Sequence, residues 1–318
     1  MLRVYRVLIA LGVVVALAGC EPPNPDANTP TTGRLILFVD EMYAPLIEAL
    51  RDTFALRSPN ARIEIHAVPA RTAIEEMLRA DAGMTQRRDT SATVAAVIGR
   101  RMLADEERAI TEAGEQLGTY VIGYDGLVAA VATGSPMRQT TLERLRNALK
   151  SPPGYPLEID SAIGAGTTQF LVPNQNSSTF MVVRRELLGD SNIAAPVRYF
   201  ATSDSVADRA AAGEGIALLG WYRVNRDSTR LRPLLMGHND TLGRYIRPVR
   251  VHPSTLVTGT YPLRQPIVGY TLAPNNSLAN GFLTWLARSQ DAQYFLVYRG
   301  LQPENVRIEL VVPADGAP

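Results

Sequence analysis

The residue types that could do chemistry in this chain are arranged for binding rather than for bond making. The sequence holds no Gly-x-Ser-x-Gly elbow, no His-Glu-x-x-His pair and no P-loop. Its three histidines, His66, His238 and His252, lie far apart without metal-ligand spacing. Glu75-Glu76 and Glu106-Glu107 are adjacent carboxylates on helical segments; neighbouring helix positions point in different directions, so they read as solvated faces rather than a catalytic dyad. Gly164-Ala165-Gly166-Thr167-Thr168 lacks the lysine of a phosphate loop and reads as a turn. These patterns predict neither an enzyme nor a metal or other cofactor. Asn174 to Phe180 is different: an apolar strand, Phe170 to Val172, runs into Asn176-Ser177-Ser178-Thr179 and then a helix. Free N–H groups at such a start attract an anion and the hydroxyls add donors, although Ser177 or Ser178 can equally serve as an ordinary cap. Asp40-Glu41-Met42 follows the first strand, where Asp40 can cap the next helix, accept the proton of a monohydrogen phosphate, or bind a cation. Arg71-Thr72 follows the second strand and Arg100-Arg101 the third, and arginine forks grip oxyanions bidentately.

The only cysteine, Cys20, closes Leu17-Ala18-Gly19-Cys20 after a basic start (Arg3, Arg6) and the apolar run Val7 to Leu17. That order reads as an export signal, and the run is shorter than the ~20 residues of a spanning helix. Leu-Ala-Gly-Cys resembles the lipobox of bacterial lipoproteins. The resemblance implies cleavage after residue 19 and a lipid anchor on Cys20, with Glu21 leaving either membrane open. Loss of residues 1–19 takes Lys+Arg from 32 to 30 against 31 acidic residues, so the mature chain is near neutral. With no basic tail or stripe, no nucleic-acid partner is expected.

Residues 20–33 are polar and proline-rich and read as a flexible tether. Beyond them strands and helices alternate. Leu35 to Val39 and Thr93 to Ile98 are short apolar runs of buried strand, and Arg62 to Val68 alternates. Helices are expected around Leu46 to Phe54, Thr72 to Ala80, Leu103 to Ala113, Thr140 to Leu149, Ser177 to Leu188, Ser203 to Ala212, Leu278 to Ala287 and Ala292 to Tyr298. Ser203 is the expected cap of its helix, and Val306 to Val312 a final strand. The pattern argues for an α/β fold with sheets covered on both faces and ligands bound where strand ends meet helix starts.

Several of these pieces, in one order, resemble the periplasmic phosphate-binding proteins of ABC importers, lipoprotein members included. They are Val39-Asp40-Glu41 with Pro45, Gly99-Arg100-Arg101-Met102-Leu103, Tyr124-Asp125-Gly126-Leu127, Asn176-Ser177-Ser178-Thr179, Tyr261-Pro262-Leu263-Arg264 and Gly300-Leu301-Gln302-Pro303. The resemblance implies a two-lobed periplasmic-binding-protein-like fold of type II, with mixed sheets flanked by helices and two crossover segments. Lobe 1 would combine residues 34–123 with 262–318, and lobe 2 would hold 124–261. It implies a phosphate or similar small oxyanion in the cleft, and an ABC permease as partner. Ser177 and Thr179 match the family's serine and threonine, and Ser178 replaces its glycine. Pro173 stands where the family has an arginine, so Arg71 is the expected substitute. The expected ligand set is Asp40, Glu41, Met42, Arg71, Thr72, Arg100, Asn176, Ser177, Ser178 and Thr179. The acidic first loop keeps a second possibility open: an envelope sensor or assembly protein on the same fold with an altered pocket.

Overall fold

A computed structural model describes residues 28–87, 91–153, 159 and 169–305. Cys20, the expected strand at 306–312 and the glycine-rich turn at 164–168 lie outside the described residues.

In chain order, β1 (Gly33–Asp40), α1 (Ala44–Ala55), β2 (Ala61–Val68), α2 (Ala70–Arg87), β3 (Ala92–Ile98) and α3 (Ala104–Glu112) alternate strand and helix. The long β4 (Gly118–Ala132) leads to β5 (Gln139–Thr141), α4 (Leu142–Lys150), β6 (Phe170–Pro173) and α5 (Ser178–Val182), which continues as a π-helical turn over Val183–Leu187. Then come β7 (Val197–Phe200), α6 (Ser203–Ala211), β8 (Ile216–Gly220), α7 (Trp221–Asn225), β9 (Leu231–Pro233), β10 (Leu235–Asn239), β11 (Tyr245–Val249) and α8 (Pro253–Val257). The chain finishes with β12 (Arg264–Thr271), α9 (Leu278–Arg288), α10 (Gln290–Tyr298) and β13 (Gln302–Pro303).

The main sheet runs β2-β1-β3-β12-β4-β8-β6-β7, with β13 and β9 also paired to β4. β1, β2 and β3 are parallel, as are β6, β7 and β8. β4 joins the two sets: Gly118 to Gly126 pair with β12, and Leu127 to Ala130 pair with β8. The sheet therefore has a first half and a second half strung on one strand. β5, β10 and β11 make a separate small sheet.

Burial explains the strands. In β3, Ala95 and Val97 face the cluster built by Leu46, Ile47 and Leu50 of α1 with Phe282 and Leu283 of α9, while Val94, Ala96 and Ile98 face Ala73, Ile74 and Met77 of α2. A strand covered on both faces must be apolar throughout. The second half has its own core, in which Leu127 to Val131, Phe170 to Val172 and Ile216 to Leu219 pack against Leu145, Val183 and Val206.

Local expectations shift in three places. α2 runs on to Arg87, beyond the expected Ala80, because Met84 finds buried contact in its last turns. Thr202, not Ser203, caps α6, accepting from Ser205 N at 3.2 Å; Ser203 is the first helical residue. Asp40 does not cap α1, whose N-cap Tyr43 makes no side-chain cap bond.

Candidate functional site

The carboxyl ends of β1, β2 and β3 meet the carboxyl ends of β6, β7 and β8 along one seam. Several contacts cross it. The Arg71 N–H donates to the Asn176 carbonyl at 2.9 Å. The Gly99 N–H donates to Ser178 Oγ at 2.9 Å. Ser203 donates to Glu41 Oε1 from its N–H at 2.8 Å and from its hydroxyl at 2.6 Å. Thr179 Oγ1 donates to the Met42 sulfur at 3.8 Å.

α5 brings its whole polar start into this seam. Ser177 caps it, accepting from Phe180 N at 3.1 Å, and Ser177, Ser178 and Thr179 are all buried. Facing them is Asp40, whose Oδ1 accepts from Met42 N at 3.5 Å and whose Oδ2 has no hydrogen-bond partner. Burial pushes the Asp40 carboxyl above its usual range, against the opposing pull of Ser178, the Met42 and Gly99 N–H groups and the Arg100 charge. Glu41 beside it is pushed up to about 7, first by burial and further by the charges of Asp40 and Asp204, while Ser203 acts in the other direction.

A third acid sits where β4 changes partners. Asp125 is fully buried; Oδ1 accepts from Gly126 N at 2.7 Å and Tyr222 N at 3.1 Å, and Oδ2 from the Tyr43 hydroxyl at 3.0 Å. Gln265 Nε2 donates in turn to Tyr43 Oη at 3.1 Å. Burial raises the Asp125 carboxyl to about 7 in spite of these donors. Gly220 closes the packing: a Cβ there would stand 2.5 Å from Asp125 Oδ2 and 2.8 Å from the Met42 sulfur.

The cations are engaged elsewhere. Arg100 is 1% exposed and grips Glu106 with both ends of its fork, Nη1 to Oε2 at 2.7 Å and Nη2 to Oε1 at 2.6 Å. Glu106 is thus buried rather than part of the expected solvated helix face. The Arg100 Nε is buried without a partner. The Arg71 guanidinium, expected at the ligand, is instead held by Asp105 at 2.6 Å and Glu75 at 3.1 Å, since α2 places it beside α3. Thr72 stands half-buried in the first turn of α2, and the Asn176 side chain is exposed, so Asn176 meets the seam through its carbonyl. The structure therefore gathers Asp40, Glu41, Met42, Ser177, Ser178 and Thr179 tightly, with Arg100 behind them.

Asp125, Tyr43, Gln265 and Ser203 were not foreseen as members of this constellation. Asp125 left two signals, as a lone acid inside the β-rich stretch Tyr120 to Val131 and as part of the family-like piece Tyr124-Asp125-Gly126-Leu127. Ser203 was expected only as a helix cap, because its partner Glu41 is 162 residues away. Among the described residues, no group of three or more His, Cys, Asp or Glu could hold a metal ion, and no helix is long and apolar enough to cross a membrane.

Two parallel strand sets, joined through a shared strand with helix starts facing each other across a seam, define a solute-binding architecture. The chain belongs to the PBP superfamily: the family model described as a PBP superfamily domain matches residues 24–290. The fold is similar to that of a Clostridium perfringens protein described as a phosphate ABC transporter substrate-binding protein with bound phosphate, at 14% identity and TM-score 0.64, covering 85% of this chain and 99% of that one. An ABC-type phosphate transport receptor from Vibrio cholerae is similar at 14% identity and TM-score 0.58, over 85% of this chain and 99% of that one. The regulatory domain of CcmR from Synechocystis, in complex with 2-PG, is similar at 14% identity and TM-score 0.51, over 80% and 96% of the two chains. No curated protein matches the sequence.

Proposed function

We propose that this chain is an extracytoplasmic solute-binding protein that captures a small oxyanion, phosphate first, for an ABC importer. The observation that carries the reading is the seam itself. Buried Ser178 and Thr179 hydroxyls from a helix start in one half converge with Asp40 and the Gly99 N–H from strand ends of the other. Lobe 1 in this reading is residues 34–123 with 262–318, lobe 2 is 124–261, and ligand is held between them as the lobes close. Asp40 favours an oxyanion that carries a proton, since a carboxylate accepts from monohydrogen phosphate and repels sulfate. The solved phosphate-binding proteins of the same fold support the choice.

The test is titration calorimetry on the full mature protein with phosphate and with sulfate. Phosphate heat with no sulfate heat is expected; no phosphate heat at millimolar ligand overturns the oxyanion reading. Because the Ser177 oxygen already caps α5, the informative variant is Ser178→Ala with Thr179→Val. It should weaken phosphate binding by about 2–6 kcal/mol, from ~1–3 kcal/mol for each of the two charge-assisted bonds. Anchoring through Cys20 has its own check: mass spectrometry should find a diacylglyceryl-modified N-terminal Cys20, and Cys20→Ser should release the protein from membranes.

One observation favours a second reading. The seam donors already meet the chain's own Glu41 and Met42, and Arg100 is committed to Glu106. A sensor or assembly protein on the same fold would show this, and its melting temperature would ignore phosphate, sulfate and arsenate, because only a ligand of the folded state raises it.

A further inference from the structure

The two hydrogen bonds from Ser203 to Glu41 have the form of a bound ligand rather than of packing. Glu41 belongs to the loop after β1, in the first half; Ser203 is the first residue of the nine-residue helix α6, in the second. One carboxylate oxygen receives both the helix-start N–H and the hydroxyl, as an external acid would. Next to it Met42 receives the Thr179 hydroxyl, so adjacent residues of one loop occupy donors on two helix starts of the other half.

We propose that Glu41 is an internal ligand that latches the two halves together, and that closing of the cleft is thereby linked to proton uptake. The proposal rests on the reading above only in that the halves open and close. Asp40 from β1 and Asp204 from α6 make the Glu41 charge costly, the Ser203 donors act in the other direction, and Arg223 of α7 is ion-paired to Asp204.

The direction follows from linkage. Latched, the Glu41 carboxyl sits at about 7 against an ordinary value of 4.5. The closed form therefore holds more protons than the open form between those values, so acid favours closing and closure is lost as pH rises through about 7. Between about pH 5.5 and about pH 7.5 the closing constant should fall on the order of tenfold. Asp40 and Asp125, also raised, act with the same sign, so a pH dependence alone does not identify Glu41.

Two substitutions do. Glu41→Gln keeps the acceptor oxygen and cannot ionise. Ser203→Pro removes both donors, while proline at the first helical position suits α6 and follows the extended Thr202. The measurement is the radius of gyration of the full mature protein by small-angle X-ray scattering, without phosphate. The wild type should expand as pH rises, Glu41→Gln should expand markedly less by about pH 8, and Ser203→Pro should be expanded already at about pH 5.5. A Glu41→Gln variant that expands like the wild type, or a Ser203→Pro variant as compact as the wild type in acid, overturns the latch. An absence of phosphate heat leaves it standing, since no phosphate is present here.

Discussion

Arg100→Ala should cost about 3–5 kcal/mol of folding stability, the range for removing one partner of a buried ion pair. The replacement leaves the Glu106 carboxylate buried at the start of α3 with only the Leu103 N–H, at 2.8 Å, to satisfy it. It also frees the Arg101 carbonyl that Arg100 Nη1 holds at 2.9 Å, so the turn from β3 into α3 loses its tie. Urea denaturation reads the loss directly. Replacing both partners, Arg100→Met with Glu106→Leu, should recover most of it, because matched apolar side chains remove the uncompensated charge. A double variant as unstable as Arg100→Ala would show that the arginine holds the turn by its carbonyl contact instead.

The pH profile of stability carries the second large effect. Asp125 lies at about 7 in the folded protein against an ordinary 3.8. A carboxyl raised on folding binds more protons folded than unfolded, so its contribution is complete in acid and is lost as pH climbs through about 7. Unfolding free energy should fall by up to about 4 kcal/mol between about pH 4 and about pH 8 on its account. Asp125→Asn should flatten that slope and be the more stable form at the alkaline end. The amide oxygen can still accept from Gly126 and Tyr222, and the amide nitrogen can donate to Tyr43 Oη. An unchanged slope in Asp125→Asn would move the titration to Asp40 or Glu41.

What the sequence disclosed tracks burial. Thr93 to Ile98 was legible because a strand buried along its whole length is nearly all apolar, and Leu35 to Val39 because it is an unbroken apolar run whose alternate residues are fully buried. The helices of the first half followed from their apolar spacing, with ends misjudged where packing continued, as at Met84. The second half was harder. β10 and α8 are only five residues long each, so neither the two-residue nor the 3.6-residue period has space to declare itself. The resemblance to phosphate-binding proteins led to the family that the chain belongs to, and to the fold it shares with solved phosphate-binding structures.

The site was legible as loops but not as pairings. Asp40-Glu41-Met42 and Ser177-Ser178-Thr179 stood out by position, at strand ends and a helix start. Which acid meets which donor is fixed by the fit between halves, and no local pattern records it. Arg100 and Glu106 illustrate the limit: six residues apart across a turn, they share no helix face, and a charge pair of that spacing looks solvated until the turn is built. Arg71 shows the converse, a cation placed beside the seam in sequence terms and claimed by Asp105 from α3.

β12 has a further consequence in the order of synthesis. It lies between β3 and β4 and pairs with both, yet it spans Arg264–Thr271, near the end of the chain. A nascent chain that has completed β1 to β4 still lacks the strand that joins β3 to β4. The two can be bridged only once residue 271 has emerged, across a separation of more than a hundred residues. Contacts so distant in sequence make folding slow and late. On the extracytoplasmic reading proposed above, that delay would keep the precursor threadable, with the sheet completed only on the far side.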